Sequence, residues 1–138
     1  MRLELQARTE LTLKLITALQ EGTRLRAGHL AERAGSTATY VAQLMAPLTR
    51  AGWVQSSPGP TGGYELVAGL GAVTLLDLIE VVEGPTDTER CVMADRICLS
   101  AVPCALHDAW TRARRALTTE LAAIPLSTLT TIEEGALR

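Results

Sequence analysis

Phenylalanine is absent from this 138-residue chain, and only four aromatic side chains occur: Tyr40, Trp53, Tyr64 and Trp110. A core built with so few rings must come from Leu, Val, Ile and Ala, which favours packed helices and disfavours an all-β or ring-stacking fold. Long apolar runs are missing as well, and no window approaches the roughly 18 unbroken apolar residues of a membrane span. Met1 to Leu11 contains no apolar stretch ahead of a small-residue cleavage site, so the expected compartment is the cytoplasm. Cysteine is scarce: three residues in a reducing compartment do not make a disulfide framework, and an odd count leaves one unpaired in any case. Metal binding, redox chemistry or plain burial remain for them.

What is present describes a well-packed chain. Apolar residues make up 47% and charged residues 20%, which excludes disordered and collagenous classes. At roughly 100–200 residues per domain, residues 1–138 form one domain. The net charge of −2 argues against a nucleic-acid binder when taken whole, but it is unevenly spread. Residues 1–67 carry seven Lys/Arg against five Asp/Glu, and residues 68–138 six against ten, so the positive bias lies in the N-terminal half.

Periodicity gives the element order. Leu11, Leu15, Ala18 and Leu19 recur at helical spacing over Thr9 to Leu19, with Gly22 closing the pattern. A connector, Thr23 to Ala27, leads to a helix over His29 to Ala34, a Gly35 turn, and a second helix capped by Ser36 or Thr37 and running to about Ala51. Pro47 removes an N–H within that helix, so a kink or a change of register is expected near Gln43 unless the helix is shorter. Trp53 to Ser56 and Tyr64 to Val67 flank a Pro/Gly-rich turn and predict a β-hairpin. Val73 to Val82 is helical again and ends at Gly84-Pro85. Residues 86–103 are irregular, and Cys104 to Ile124 predicts a long helix stopped by Pro125, before a short apolar tail from Leu126 to Ile132. The fold class is mainly α: a winged helix-turn-helix with a long C-terminal helix.

Helix, glycine turn, helix and hairpin is the winged-helix order, in which the second helix enters the major groove and the wing contacts the backbone or minor groove. At the start of that helix Ser36, Thr37, Thr39, Tyr40 and Gln43 offer hydroxyls and an amide to phosphates or base edges, and Gln43 suits a bidentate contact to adenine. The plainer reading makes Ser36 and Thr37 caps only, and Tyr40 and Gln43 a solvated face. The segment holds no Lys or Arg before Arg50, so phosphate neutralisation falls to Arg2, Arg8, Arg24, Arg26 and Arg33 and to the wing, where Thr61 and Gly62 sit at the tip. Affinity would then need two half-sites.

Cys91, Cys98 and Cys104 are separated by six and five residues, and His107 follows Cys104 by three. In a helix beginning at Cys104 that pair shares a face, so a thiolate and an imidazole could grip one metal while the preceding loop folds two more thiolates over it. Soft thiolates select zinc or an iron–sulfur cluster, and gaps wider than the usual two to four residues of zinc sites lean towards a cluster. The alternative is three small buried hydrophobes and a solvated histidine. Cys104 and His107 could also form a thiolate–imidazolium pair, but no third orienting group or oxyanion motif accompanies them, so an enzyme is not expected.

The stretches Leu3-Glu4-Leu5-Gln6-Ala7-Arg8-Thr9-Glu10-Leu11, Tyr40-Val41-Ala42-Gln43-Leu44, Leu48-Thr49-Arg50-Ala51-Gly52-Trp53-Val54, Gly59-Pro60-Thr61-Gly62-Gly63-Tyr64-Glu65-Leu66, Val73-Thr74-Leu75-Leu76-Asp77 and Glu83-Gly84-Pro85 together resemble the Rrf-type winged-helix regulators, the group that includes IscR, NsrR and RirA. The resemblance spans nearly the whole chain. It implies a DNA-binding transcriptional regulator that forms a homodimer through the helix after Cys104, binds an operator, and carries an iron–sulfur cluster on the three cysteines whose state sets DNA affinity. On that reading residues 1–67 are the DNA-binding part, and 68–138 the cluster loop and pairing helix. Cys104-Ala105-Leu106-His107 followed by Trp110 resembles the pattern in which the histidine completes a 2Fe-2S site. Glu10 occupies the position from which, in other members, an acidic residue of the partner chain reaches a 4Fe-4S cluster, and it is also placed to pair with Lys14 four residues on. Pro58 departs from the arginine many members carry before the wing glycine. A zinc- or thiol-switched regulator and a winged-helix interaction module without DNA binding are the alternatives.

Overall fold

In the computed structural model, residues 3–19, 24–93, 96–98 and 101–129 are described. Helix α1 (Ala7–Leu19) buries Leu13, Leu15, Ile16, Ala18 and Leu19 together with Thr9 and Thr12. It is buried over most of its circumference because it touches α2 (Ala27–Ala34), α3 (Ala38–Arg50), α4 (Leu75–Glu83) and β2 (Gly63–Leu66). Arg2 and the Gly22 predicted to close the first helix lie outside the described residues.

The helix-turn-helix follows from local chemistry. Gly35 takes φ +64°, the left-handed conformation that ends α2, and Ser36 N–H donates to the Ala31 carbonyl at 2.9 Å. Of the two predicted caps, Thr37 does the capping: its hydroxyl accepts from Tyr40 N–H at 3.2 Å. Val41, Leu44, Met45 and Leu48 are buried at i, i+3, i+4 and i+7, and fully burying such a side chain is worth about 1.5–3 kcal/mol. The helix does not stop near Gln43, because it continues through Pro47 to Arg50. Gln43 is exposed, so water can satisfy the carbonyl that Pro47 leaves without an N–H.

The wing pairs β1 (Val54–Ser57) antiparallel with β2, matching Val54 with Leu66 and Ser57 with Gly63. Leu25 and Tyr64 exchange backbone hydrogen bonds of 2.9 and 2.7 Å, which fastens the hairpin to the chain ahead of α2. That contact requires glycine at position 63. Its φ is +136°, and a Cβ there would lie 2.5 Å from the Leu25 carbonyl oxygen.

Helix α4 opens with a reciprocal capping box between Thr74 and Asp77 and buries Leu75, Leu78, Ile79 and Val82. The last helix, α5, is His107–Ala122, so it starts three residues later than the predicted Cys104. Beyond it the chain returns to α4, with Leu75 N–H donating to Ile124 and Leu126 N–H to Val73, both at 2.9 Å. Leu126 is fully buried there, yet no residue of α5 itself is. Among the described residues no helix is long and apolar enough to cross a membrane.

Candidate metal centre and nucleic-acid interface

The loop after α4 places the cysteines through its backbone. An antiparallel bridge joins Arg90 and Ile97, with Cys91 N–H donating to the Arg96 carbonyl at 2.7 Å and Cys98 N–H to the Glu89 carbonyl at 3.1 Å. These bonds set Cys91 and Cys98 side by side although six residues separate them. Glu89 adopts φ +58°, a left-handed conformation that costs a non-glycine residue about 1–2 kcal/mol. Its N–H donates to the Asp87 carboxylate at 3.0 Å, which helps hold that conformation.

Cys104 completes the group from the other end of the loop, its N–H donating to Cys98 Sγ at 3.5 Å. The three sulfurs all lie within 4.8 Å of one another. Cys91 is buried, and Cys98 and Cys104 are half-buried. The sulfurs open onto a cavity of about 420 Å³ whose wall includes His107, Trp110 and Arg114 of α5. Partial burial pushes the Cys104 thiol above its ordinary value, and the neighbouring Cys91 and Cys98 thiols add to this against a lowering backbone hydrogen bond at Leu106. Binding a cation would reverse the preference, because metal ligation takes the thiolate.

His107 stands differently from its prediction. Cys104 precedes α5, and the two residues are joined by a turn in which His107 N–H donates to the Cys104 carbonyl at 3.1 Å, so they do not share a helical face. The imidazole lines the cavity but is not part of the close sulfur group. Glu10 makes the i, i+4 ion pair with Lys14 at 3.2 Å. Asp87 and Arg114, an ion pair of 3.3 Å on the same cavity, went unnoticed in the sequence: 27 residues apart, they carry no local pattern that joins them.

Thr39, Tyr40, Gln43 and Arg50 are exposed along α3, with Thr37 exposed at its cap and Arg26 exposed ahead of α2. Ser36 is half-buried. In the wing Thr61 is exposed, whereas Gly62 is buried and its N–H donates to the Gly59 carbonyl at 3.0 Å. A Cβ at Gly62 would fall 2.1 Å from the Ser57 carbonyl oxygen. Gly62 therefore closes the turn, and its N–H is not free for a phosphate. Arg24 is paired with Glu65 at 3.1 Å, which offsets its charge, whereas Arg8 donates to the neutral Gln6 amide at 2.7 Å and keeps its charge.

Known proteins are similar to this chain in sequence and in fold. The Rrf2 family, described as an iron-dependent transcriptional regulator, matches residues 5–132. The HTH-type transcriptional regulator IscR of Xenorhabdus nematophila is 32% identical over 136 residues, covering 97% of this chain and 82% of that protein. IscR of Klebsiella pneumoniae is 31% identical over 135 residues, with the same two coverages of 97% and 82%. Among solved structures, CymR, the global cysteine regulator of B. subtilis, superposes with a TM-score of 0.74 at 26% identity, over 94% of this chain and 98% of that one. T. potens IscR shares the fold with a TM-score of 0.69 at 24% identity, over 99% and 93% of the two chains. This chain belongs to the Rrf2 family of winged-helix transcriptional regulators.

Proposed function

We propose that the protein is a homodimeric DNA-binding regulator whose operator affinity is set by an iron–sulfur cluster held on Cys91, Cys98 and Cys104. The observation that carries this reading is the group of three sulfurs within 4.8 Å, open to a cavity, in a chain of this family. Soft thiolates fit such a cluster and also fit zinc. The cluster would supply a charge and a redox state that respond to iron, nitric oxide or oxidants. His107, which lines the cavity, would supply the fourth ligand of a 2Fe-2S centre; the alternative would be Glu10 of the partner subunit with a 4Fe-4S centre. In the chain itself residues 1–67 read DNA, while 68–138 hold the cluster loop and the pairing helix, and cluster loss frees the loop from the start of α5. The spacing of two recognition helices would then no longer match half-sites about 34 Å apart.

Anaerobic purification with a visible spectrum and iron, sulfide and zinc contents tests this. A coloured protein with about two or four irons per chain supports the reading. A colourless one that stays so after reconstitution overturns it in favour of zinc or a thiol switch.

The DNA contacts proposed are Arg26, Ser36, Thr37, Thr39, Tyr40, Gln43, Arg50 and Thr61, with Arg2 reaching from outside the described residues. Gln43 is the base reader among them. Gln43→Ala should weaken binding to a selected duplex about 5- to 150-fold and leave random DNA unchanged, as measured by fluorescence anisotropy. Equal weakening on both would make Gln43 a phosphate contact.

A further inference from the structure

A side-chain hydrogen bond reaches from the DNA-binding half of the chain to the end of α4. Thr9 lies in the first turn of α1, the helix that touches α2, α3, α4 and the wing. It is completely buried. Its neighbour Thr12, equally buried, returns its hydroxyl to the Arg8 carbonyl four residues back, and Thr17 does the same to Leu13. Thr9 instead reaches across 74 positions of sequence and donates to the Glu83 carboxylate at 2.5 Å. A charge-assisted hydrogen bond in a buried setting is among the stronger polar contacts available to a protein.

Glu83 is the last residue of α4, where a carboxylate is disfavoured by the negative end of the helix dipole. Helical preference therefore does not account for it, and the bond to Thr9 does. Directly after it Gly84, at φ +96°, turns the chain into the cysteine loop. The first residues of that loop are tied down in turn. Thr86 donates through both its N–H and its hydroxyl to Glu80, at 3.2 and 2.7 Å, and Asp87 accepts from Arg114 of α5. The segment 83–87 is thus fixed to α1, α4 and α5 at once, eight residues or fewer ahead of Cys91. A loop anchored this way transmits a displacement at its root to whatever holds that root.

We infer that the Thr9–Glu83 hydrogen bond is the link through which the state of the cysteine site reaches the DNA-binding half. The inference rests on the proposed function. When the thiolates are bridged by the cluster, the loop is held and Glu83 keeps α1 seated under α3. When they are not, the loop root relaxes, Glu83 shifts, and α1 releases its constraint on the recognition helix. Coupling of this kind is reciprocal, so DNA binding also favours the loaded cysteine site.

The test uses the full chain and a duplex enriched from a random-sequence library by the reconstituted wild-type protein. Thr9→Val removes the donor at nearly constant volume, Thr9→Ser restores it, and Glu83→Gln keeps an acceptor without the charge. Two quantities are read: iron and sulfide per chain, and the ratio of duplex affinities between reconstituted and iron-stripped protein. Wild type should show a ratio of about 5 to 150. Thr9→Val should load as much iron as wild type but bring the ratio to within about twofold of unity, while Thr9→Ser keeps the wild-type ratio. If Thr9→Val fails to fold, Glu83→Ala, which removes the acceptor, is read in the same way and should lose most of the ratio, whereas Glu83→Gln, still able to accept from Thr9, should keep at least part of it. A wild-type ratio in folded Thr9→Val or Glu83→Ala, with iron bound, overturns the link and leaves the function standing. A ratio of one in the wild type, or no iron in it, overturns the function and the link with it.

Discussion

Cys98→Ala should lower iron and sulfide per chain by tenfold or more and abolish any difference in DNA affinity between reconstituted and stripped protein. Cys98 is central to the group: its sulfur accepts the Cys104 N–H at 3.5 Å, and its own N–H is tied to Glu89 beside Cys91. Removing that sulfur leaves this chain Cys91, Cys104 and His107, one short of the four protein ligands a cluster takes. The fold should survive, because Cys98 is half-buried and its side chain is small. Losing one such sulfur costs on the order of 1 kcal/mol, a few degrees in melting temperature for a chain of this size. Cys91→Ala is less informative, since Cys91 is buried and its loss combines ligand removal with a cavity. Elemental analysis and the visible spectrum give the answer directly. If Cys98→Ala keeps its iron, the cysteine group is not the cluster site.

The arrangement also explains why an overall acidic chain can serve DNA. Helix α3 presents hydroxyls and an amide and no cation before Arg50, and Arg24 is paired with Glu65. Phosphate neutralisation per chain is therefore small, and in the proposed homodimer specific affinity would come from base contacts made twice. That makes the geometry between protomers the natural quantity to regulate. A weak single-site binder loses nearly everything when its two copies fall out of register.

Much of this was legible in the sequence wherever the determinant is local. Cap candidates after Gly35 mark α3, Gly35 marks the turn, and the Pro/Gly run marks the wing. Of the two cap candidates Thr37 is the one used, and Ser36 closes α2 through its backbone N–H. The departures have local causes too. Cys104 falls outside α5 because the residues before His107 form a turn, which the apolar pattern does not distinguish from a helical start. Gly62 reads as a wing contact until its N–H is found bonded within the turn and its Cβ position blocked by Ser57. Contacts between distant residues left no trace at all. Thr9 with Glu83 and Asp87 with Arg114 obey no periodicity, and only the folded chain brings them together.

The second large effect is expected at Leu117. Every other helix of the described chain contains fully buried residues, yet none of the sixteen residues of α5 is buried. His107, Trp110, Thr111, Arg114, Thr118 and Leu121 are half-buried against the rest of the molecule, while Ala109, Ala113, Ala116 and Leu117, at i, i+4, i+7 and i+8, form an exposed stripe along the flank of that face. Leu117 is 49% exposed and Leu106, the residue just before the helix, 43%. A helix of this length is marginal in water without packing, and an apolar stripe of small residues allows close approach of an identical helix. Leu117→Asp would place two carboxylates in a self-complementary interface, since a two-fold seam repeats every substitution. The monomer–dimer dissociation constant should rise about a hundredfold or more, the scale of losing an interface anchor of roughly 3 kcal/mol, while the melting temperature of the isolated protomer stays unchanged. Sedimentation across a concentration series reads this, with Val67→Asp, 54% exposed in the wing, as the variant that should leave association intact. A Leu117→Asp protein that still sediments as wild type would move the seam off α5. A monomeric variant should in turn lose the affinity gained by holding two half-sites together, about a hundredfold or more on a two-site duplex, and keep its binding to a single half-site.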